Sequence, residues 1–369
     1  MRSAYQAQPI RPRKRSAWSA EESLNGRFAL RRQTHLPPSI HVSTEHRGLL
    51  LWPQCCTPAL TKELPLGLAD GGFRGANAQR RYLAVYDEVR GLSPQPDVVH
   101  DVPTTFGNVR VYQHGPDRGV PVVLIHGFFL TSAMWWGQVT GLTNDFTVYA
   151  MDMLGQPGAS IQSKSMSTPA ECARSIDAVL EGLRLRDVHL VAHSYGGWLA
   201  THTAARAPRR LATVTLVDPA STVTRLSARF WLNLALLLSQ PHSVRARRAA
   251  AWVTGNPVPG SRVDMLAGLF VAGFAAFAPP LSTPPLLVPS DRLLGSVHLP
   301  VQVLLAGNTI HDSEKALRRI QSLVPAWRYH LWPKASHALP AEVPDEVNAC
   351  IRQFVIEHHN GGASSTAGA

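Results

Sequence analysis

Cysteine is scarce in this chain: 369 residues contain four, two adjacent (Cys55, Cys56) and two isolated (Cys172, Cys350). No Cys-x-x-Cys pair and no Cys/His ligand spacing occurs, which argues against a disulfide scaffold and against a structural zinc. Charged residues make up only 17% of the chain against 45% hydrophobic, so most of it should fold around a core. Long apolar runs are missing too. A transmembrane helix needs about 18–20 uninterrupted apolar residues. The nearest stretch, Met265 to Ala278, is shorter and rich in Gly and Ala. Leu49-Leu50-Leu51-Trp52 stops at Pro53, short of the roughly 7–15 apolar residues of a signal-peptide core. Arg31-Arg32 has no apolar run behind it, so a twin-arginine signal is excluded. The chain reads as soluble and cytoplasmic.

Acids are the minority charge: 25 Asp and Glu face 36 Lys and Arg, for a net charge of +11. Residues 1–60 hold nine of those cations (Arg2, Arg11, Arg13, Lys14, Arg15, Arg27, Arg31, Arg32, Arg47) and three acids (Glu21, Glu22, Glu45), or +6 of the +11. Residues 1–76 show no periodicity and mix Pro, Gly, Arg and Ser, the composition of a disordered basic extension. Arg11-Pro12-Arg13-Lys14-Arg15 reads as a solvated arm, with nucleic-acid or membrane-surface contact as the weaker alternative. Residues 360–369 read as a disordered tail.

What lies between is regular. A helical pattern from Asn77 to about Gly91 precedes two antiparallel strands, Val98 to Pro103 and Gly107 to Tyr112. Val120 to Ile125 is a continuous apolar run suited to a strand buried on both faces. Helix Ser132–Leu142, strand Phe146–Met151, a helix opened by the capping box Thr168-Pro169-Ala170-Glu171, strand Val188–His193 and strand Ala212–Val217 follow. Residues 221–294 break the rhythm with helical apolar stretches, which reads as a mainly helical insertion. Strand Val301–Ala306, helix Ser313–Leu323, strand Trp327–Trp332 and helix Pro344–His358 restore it. Alternation of this kind predicts a doubly wound, mostly parallel α/β sheet over residues 77–359.

Four strand ends carry the chemistry, where open α/β sheets place their ligands. Ala192-His193-Ser194-Tyr195-Gly196-Gly197 predicts a sharp strand-to-helix turn with Ser194 at its apex as nucleophile. His337, just after the last strand, is the candidate base. Backbone N–H groups of Phe128 and Tyr195 are the candidate oxyanion donors, with His126 bracing its loop. For the acid, Asp312 after the strand Val301–Ala306 is the first choice. Asp218 after the preceding strand is the alternative, because Asp218-Pro219 reads equally well as a turn. Asp152 reads as a loop brace. No residue set calls for a cofactor or a metal.

On these motifs, His126-Gly127-Phe128, Asp152…Gly155…Gly158…Ser160, the Ser194 turn, Gly307…Asp312 and Ser336-His337, the chain resembles the α/β-hydrolase superfamily over residues 77–359. Two departures are visible: Ala192 stands for the first glycine of Gly-x-Ser-x-Gly, and Ile310 occupies the usual acid position, two residues before Asp312. The resemblance implies a helical cap over the pocket and a cofactor-free serine hydrolase of small to medium apolar esters, working through an acyl-enzyme. Within the same fold it also allows a C–C bond hydrolase, a perhydrolase of the haloperoxidase type, or a non-catalytic binding protein. Serine at 194 disfavours epoxide hydrolases and haloalkane dehalogenases, which resemble this fold with Asp there. Trp135, Trp136, Trp231, Leu234, Leu238, Phe270 and Phe274 are expected to line a hydrophobic pocket, or else to pack the cap. The partner expected is a small-molecule substrate; nothing in the sequence fixes the oligomeric state.

Overall fold

The computed structural model describes residues 71–280 and 282–363, all within the compact unit Glu63–Ala369. The basic arm and most of the 1–76 extension lie outside the described residues, as do residues 364–369. Structure begins slightly earlier than expected. Gly72–Phe73 pair antiparallel with Phe277–Ala278, and the first helix starts at Ala76.

Eight longer strands build the main sheet: β1 (Val98–Thr104), β2 (Gly107–His114), β3 (Val120–Ile125), β4 (Phe146–Met151), β5 (Val188–His193), β6 (Leu211–Val217), β7 (Val301–Asn308) and β8 (Arg328–Ser336). With the short strand Ile161–Gln162 on β2 they form a nine-stranded sheet in the order β8-β7-β6-β5-β3-β4-β2-β1. Strands β3 to β8 pair in parallel, while β1 and β2 run antiparallel at one side. The central strands are apolar on both faces because each face has its own core. Val123, Ile125 and Leu190 pack on one side; Val122, Leu124 and Val191 pack on the other. That division follows from the two-residue period of a strand.

The helices are α1 (Ala76–Arg90), α2 (Trp136–Leu142), α3 (Pro169–Gly182), α4 (Tyr195–Arg206), α5 (Ala228–Ser239), α6 (Val244–Val253), α7 (Arg262–Ala276), α8 (Asp291–Gly295), α9 (Ser313–Leu323), α10 (Leu339–Glu342) and α11 (Pro344–Ala363). The capping box at α3 is formed: Thr168 Oγ1 accepts from Glu171 N at 3.2 Å, and Glu171 accepts from Thr168 N at 3.1 Å. Ser132–Trp135 is a 3₁₀ turn capped by Thr131, so α2 is shorter than its apolar pattern suggests. Helices α5 to α8 lie between β6 and β7, the place read as an insertion. Helix α11 runs five residues past His358, into the segment read as a tail. Among the described residues no helix is long and apolar enough to cross a membrane.

Two local features position the site. Between β5 and α4, Ser194 takes φ 54° and ψ −118°, a left-handed conformation that costs about 1–3 kcal/mol and persists only where neighbours enforce it. Its N–H is held by Val217 O at 3.1 Å, and its carbonyl accepts from Ala220 N at 3.0 Å. Gly196 lets the helix start against β3: a Cβ there would sit 2.6 Å from His126 O and 2.7 Å from Ile125 O. At the far edge, β7 and β8 extend beyond their apolar cores, through an irregularity between Ala306 and Asn308, until Asn308 faces Ser336. His337 leaves the sheet at that point.

Gly196→Ala should therefore lower stability by about 1–3 kcal/mol, the usual range for overpacking against atoms that cannot yield. Urea unfolding should show a lower midpoint with an unchanged slope. Gly268→Ala in α7, where a Cβ meets nothing within 4 Å, should be neutral or stabilising by up to about 1 kcal/mol.

Candidate active site

Ser194, His337 and Asp218 meet above the ends of β5, β6 and β8. His337 Nε2 lies 2.8 Å from Ser194 Oγ, and His337 Nδ1 lies 2.5 Å from Asp218 Oδ2. All three side chains are buried. The acid nearest the histidine is thus Asp218, the alternative drawn from the sequence. Asp312 is not there. It is exposed at the start of α9, where its Oδ1 accepts from Lys315 N at 2.8 Å as a helix cap. The reason is local: Ile310 and His311 turn into the interior after β7, which leaves Asp312 on the outside to begin the helix.

Every oxygen of the Asp218 carboxylate is occupied. Oδ1 accepts from Ala306 N at 3.0 Å, and Oδ2 accepts from Thr309 Oγ1 as well as from His337. His311 Nε2 stands 3.3 Å from Oδ1, within ion-pair distance though not aligned as a hydrogen bond. Burial pushes the Asp218 carboxyl up, but attraction to His311 and hydrogen bonding and charge from His337 outweigh it, leaving the group well below the usual carboxylate range. Thr309 and His311 carry no signal of this role in the sequence; both lie in the loop between β7 and Asp312.

His193, beside the serine, was also missed. Its Nε2 donates to the carbonyl of His337 at 2.8 Å, and its ring lies 4.7 Å from that of His337. Burial, with repulsion from His337, pushes its imidazole down to about 3, so it stays neutral and ties the backbone at His337 to the end of β5. His126 is a brace: Nδ1 donates to Gly127 O at 2.8 Å and Nε2 accepts from Met153 N at 2.9 Å. Burial lowers its pKa, in keeping with that neutral tautomer. Asp152 joins the same loops, accepting from Ser132 N, Ala159 N and Tyr86 Oη at 2.8, 2.8 and 2.9 Å. Phe129 sits at φ 55° with its N–H given to Gln156 Oε1 at 2.7 Å. Phe128 precedes it, and Tyr195 is the first residue of α4, whose N–H has no intrahelical acceptor.

A cavity of about 40 Å³ opens on Ser194 and His337. Its walls are nearly all apolar: Phe128, Leu130 and Met134 from the sheet side, and Phe230, Leu234, Leu237, Leu266 and Phe270 from the insertion. Of the seven residues expected to line a pocket, Leu234 and Phe270 do. Trp135 is buried beside His193, Trp136 is buried under Arg262, and Phe274 stacks on Phe129 at 4.0 Å. Trp231 and Leu238 face outward. Among the described residues no group of three His, Cys, Asp or Glu is placed to hold a metal.

A serine hydroxyl, an imidazole and a carboxylate thus stand in line. Residues 122–350 match the model of the "Alpha/beta hydrolase family". Carboxylesterase YbfK of Bacillus subtilis is 26% identical over 287 residues, covering 77% of this chain and 96% of that protein. The uncharacterized carboxylesterase nap of the same organism is 26% identical over 308 residues, covering 78% of this chain and 94% of its own. The solved naproxen esterase of Bacillus subtilis superposes with a TM-score of 0.70 at 25% identity, over 76% of this chain and 99% of that one. The chain belongs to the alpha/beta hydrolase family. Its near full-length likeness to carboxylesterases marks it as a hydrolase.

Two outcomes follow for the acid and for pH. Asp218→Asn should lower turnover of a p-nitrophenyl ester by about 10⁴-fold, since the imidazole loses its orienting carboxylate, whereas Asp312→Asn should stay within about twofold; steady-state kinetics decides. His193, unprotonated down to about pH 3 when folded but titrating near 6.5 when unfolded, makes stability fall as pH drops from about 6.5 towards 3. His193→Gln should flatten that slope in urea midpoints measured across the range.

Proposed function

We propose that the protein hydrolyses carboxylic esters with a short apolar acyl group, through a covalent acyl-enzyme on Ser194. The observation that carries this reading is the continuous chain from Ser194 Oγ through His337 to Asp218, at 2.8 and 2.5 Å. His337 Nε2 accepts the serine proton as Oγ attacks the ester carbonyl. Asp218 keeps Nδ1 protonated and offsets the charge that develops on the imidazole. The backbone N–H groups of Phe128 and Tyr195 receive the oxyanion of the tetrahedral intermediate. Collapse expels the alcohol, which takes the proton from His337. Water then gives a proton to His337, attacks the acyl carbon, and releases the acid as Ser194 is reprotonated.

The cavity supports the substrate class. At about 40 Å³ it has room for a few carbon atoms beside Ser194, and its apolar lining favours a chain without charge. The helices of the insertion act as the cap that keeps water from this space. The carboxylesterase relatives support ester chemistry.

A fluorophosphonate probe should label the full-length protein, and Ser194→Ala should abolish labelling while the protein stays folded by circular dichroism. Absence of labelling on folded wild type would overturn the serine-hydrolase reading. Across p-nitrophenyl esters, kcat/KM should be at least about tenfold higher for acetate to butanoate than for decanoate, because one methylene beyond the cavity already costs a factor of several. A decanoate optimum would contradict the short-acyl assignment.

A further inference from the structure

Helix α5 has the sequence ARFWLNLALLLS, apolar nearly all round. Such helices are ordinarily buried in a core, yet Leu237 alone is fully buried here. Its inner face, Phe230, Asn233, Leu234 and Leu237, lines the cavity at helical spacing. The opposite stripe, Ala228, Trp231, Leu232, Ala235 and Leu238, is exposed, with Trp231 at 47%, Leu232 at 73% and Leu238 at 42%. Val244, the first residue of α6, is 66% exposed, and Val258 after that helix is 74% exposed. Together these make up five of the exposed large hydrophobic side chains among the described residues.

The segment that carries this face has charge of one sign. Between Asp218 and Asp264 the chain contains no Asp or Glu, and it contains six arginines: Arg225, Arg229, Arg245, Arg247, Arg248 and Arg262. Arg245, Arg247 and Arg248 are exposed on α6, and no salt bridge among the described residues involves them. Helices α5 and α6 pack directly against each other. An exposed apolar stripe on one helix, with exposed arginines free of salt bridges on the helix packed against it, offers the two terms that hold a helix in a membrane interface: apolar area withdrawn from water, and attraction to anionic headgroups.

We infer that the outer face of α5 and the arginines of α6 dock on an anionic lipid surface. A helix lying in that interface sinks its apolar stripe into the headgroup boundary while the arginines meet lipid phosphates. The inner face of the same helix roofs the cavity over Ser194, so docking brings the site against a phase in which apolar esters concentrate. That delivery role depends on the ester-hydrolase reading. The docking itself does not.

Full-length protein should be sedimented with vesicles of phosphatidylcholine alone and of phosphatidylcholine with phosphatidylglycerol, at low and at physiological salt. Binding is expected to the anionic vesicles and to weaken with salt. Arg245→Gln/Arg247→Gln/Arg248→Gln should reduce partition by about two orders of magnitude, at about fivefold per arginine. Leu232→Ser/Leu238→Ser should reduce it by about tenfold or more. Both variants should hydrolyse soluble p-nitrophenyl acetate as wild type does, and Ser194→Ala should bind vesicles undiminished, which separates failure of docking from failure of the catalytic reading. Unchanged binding in both surface variants would place the contact elsewhere on the chain, for instance in the basic arm, and would overturn the proposal. So would no binding by wild type, or light scattering that shows the leucine pair holding a dimer that ignores vesicles.

Discussion

A buried carboxylate needs partners, and the site is organised by how Asp218 finds them. Fully desolvated, an ionised Asp would be too costly to keep unless hydrogen bonds and opposite charge surround it. Ala306 N, Thr309 Oγ1 and His337 Nδ1 supply the hydrogen bonds, and His311 stands on the remaining side. Three of these four partners lie on β7 or in the loop that follows it, and the fourth follows β8. The carboxylate at the end of β6 thus clamps the two strands beyond it and sets where His337 stands relative to Ser194. Its partners also explain the strain nearby, since Asp218 itself has φ 43° and Ser194 φ 54°. Both are held by backbone bonds from neighbouring strand ends.

Histidines do a second share of the work without moving protons. His193 binds the carbonyl of His337, and His126 links the Phe128 loop to the loop at Met153. Both are kept neutral by burial; His126 is held at both ring nitrogens, while His193 is held through Nε2. Stability and the placing of His337 beside Ser194 are therefore linked through the same residues.

Much of this was legible in the sequence, for physical reasons that can be named. A central strand buried on both faces favours a continuous apolar run, so β3 announced itself, while β5 and β6 carry buried His189, Thr213 and Thr215 among their apolar residues. Ser194 sat between a small residue and two glycines, a spacing shared by tight turns and helix caps, and its place between the His126-Gly127 and His337 loops told the two apart. The acid was harder because two strands in succession end near an aspartate, and sequence does not say which end faces the histidine. One signal was present but unused: Asp312 is followed at once by a helical pattern, the position of an N-cap, and that is what it does. Among the aromatics weighed as pocket or cap residues, Phe270 lines the cavity and the two adjacent tryptophans do not. Trp135 and Trp136 fall in a 3₁₀ turn and the helix after it, where both rings are buried away from the cavity. The inner and outer faces of α5 were legible only as "apolar" until the fold showed that one of them is uncovered.

The central claim is that His337 is held by Asp218. Proton NMR in water tests it directly, because an imidazole N–H held 2.5 Å from a carboxylate resonates far downfield of the amide region. Wild type and Asp312→Asn should both show that resonance, and Asp218→Asn should lose it. Its survival in Asp218→Asn, or its loss in Asp312→Asn, would contradict the account.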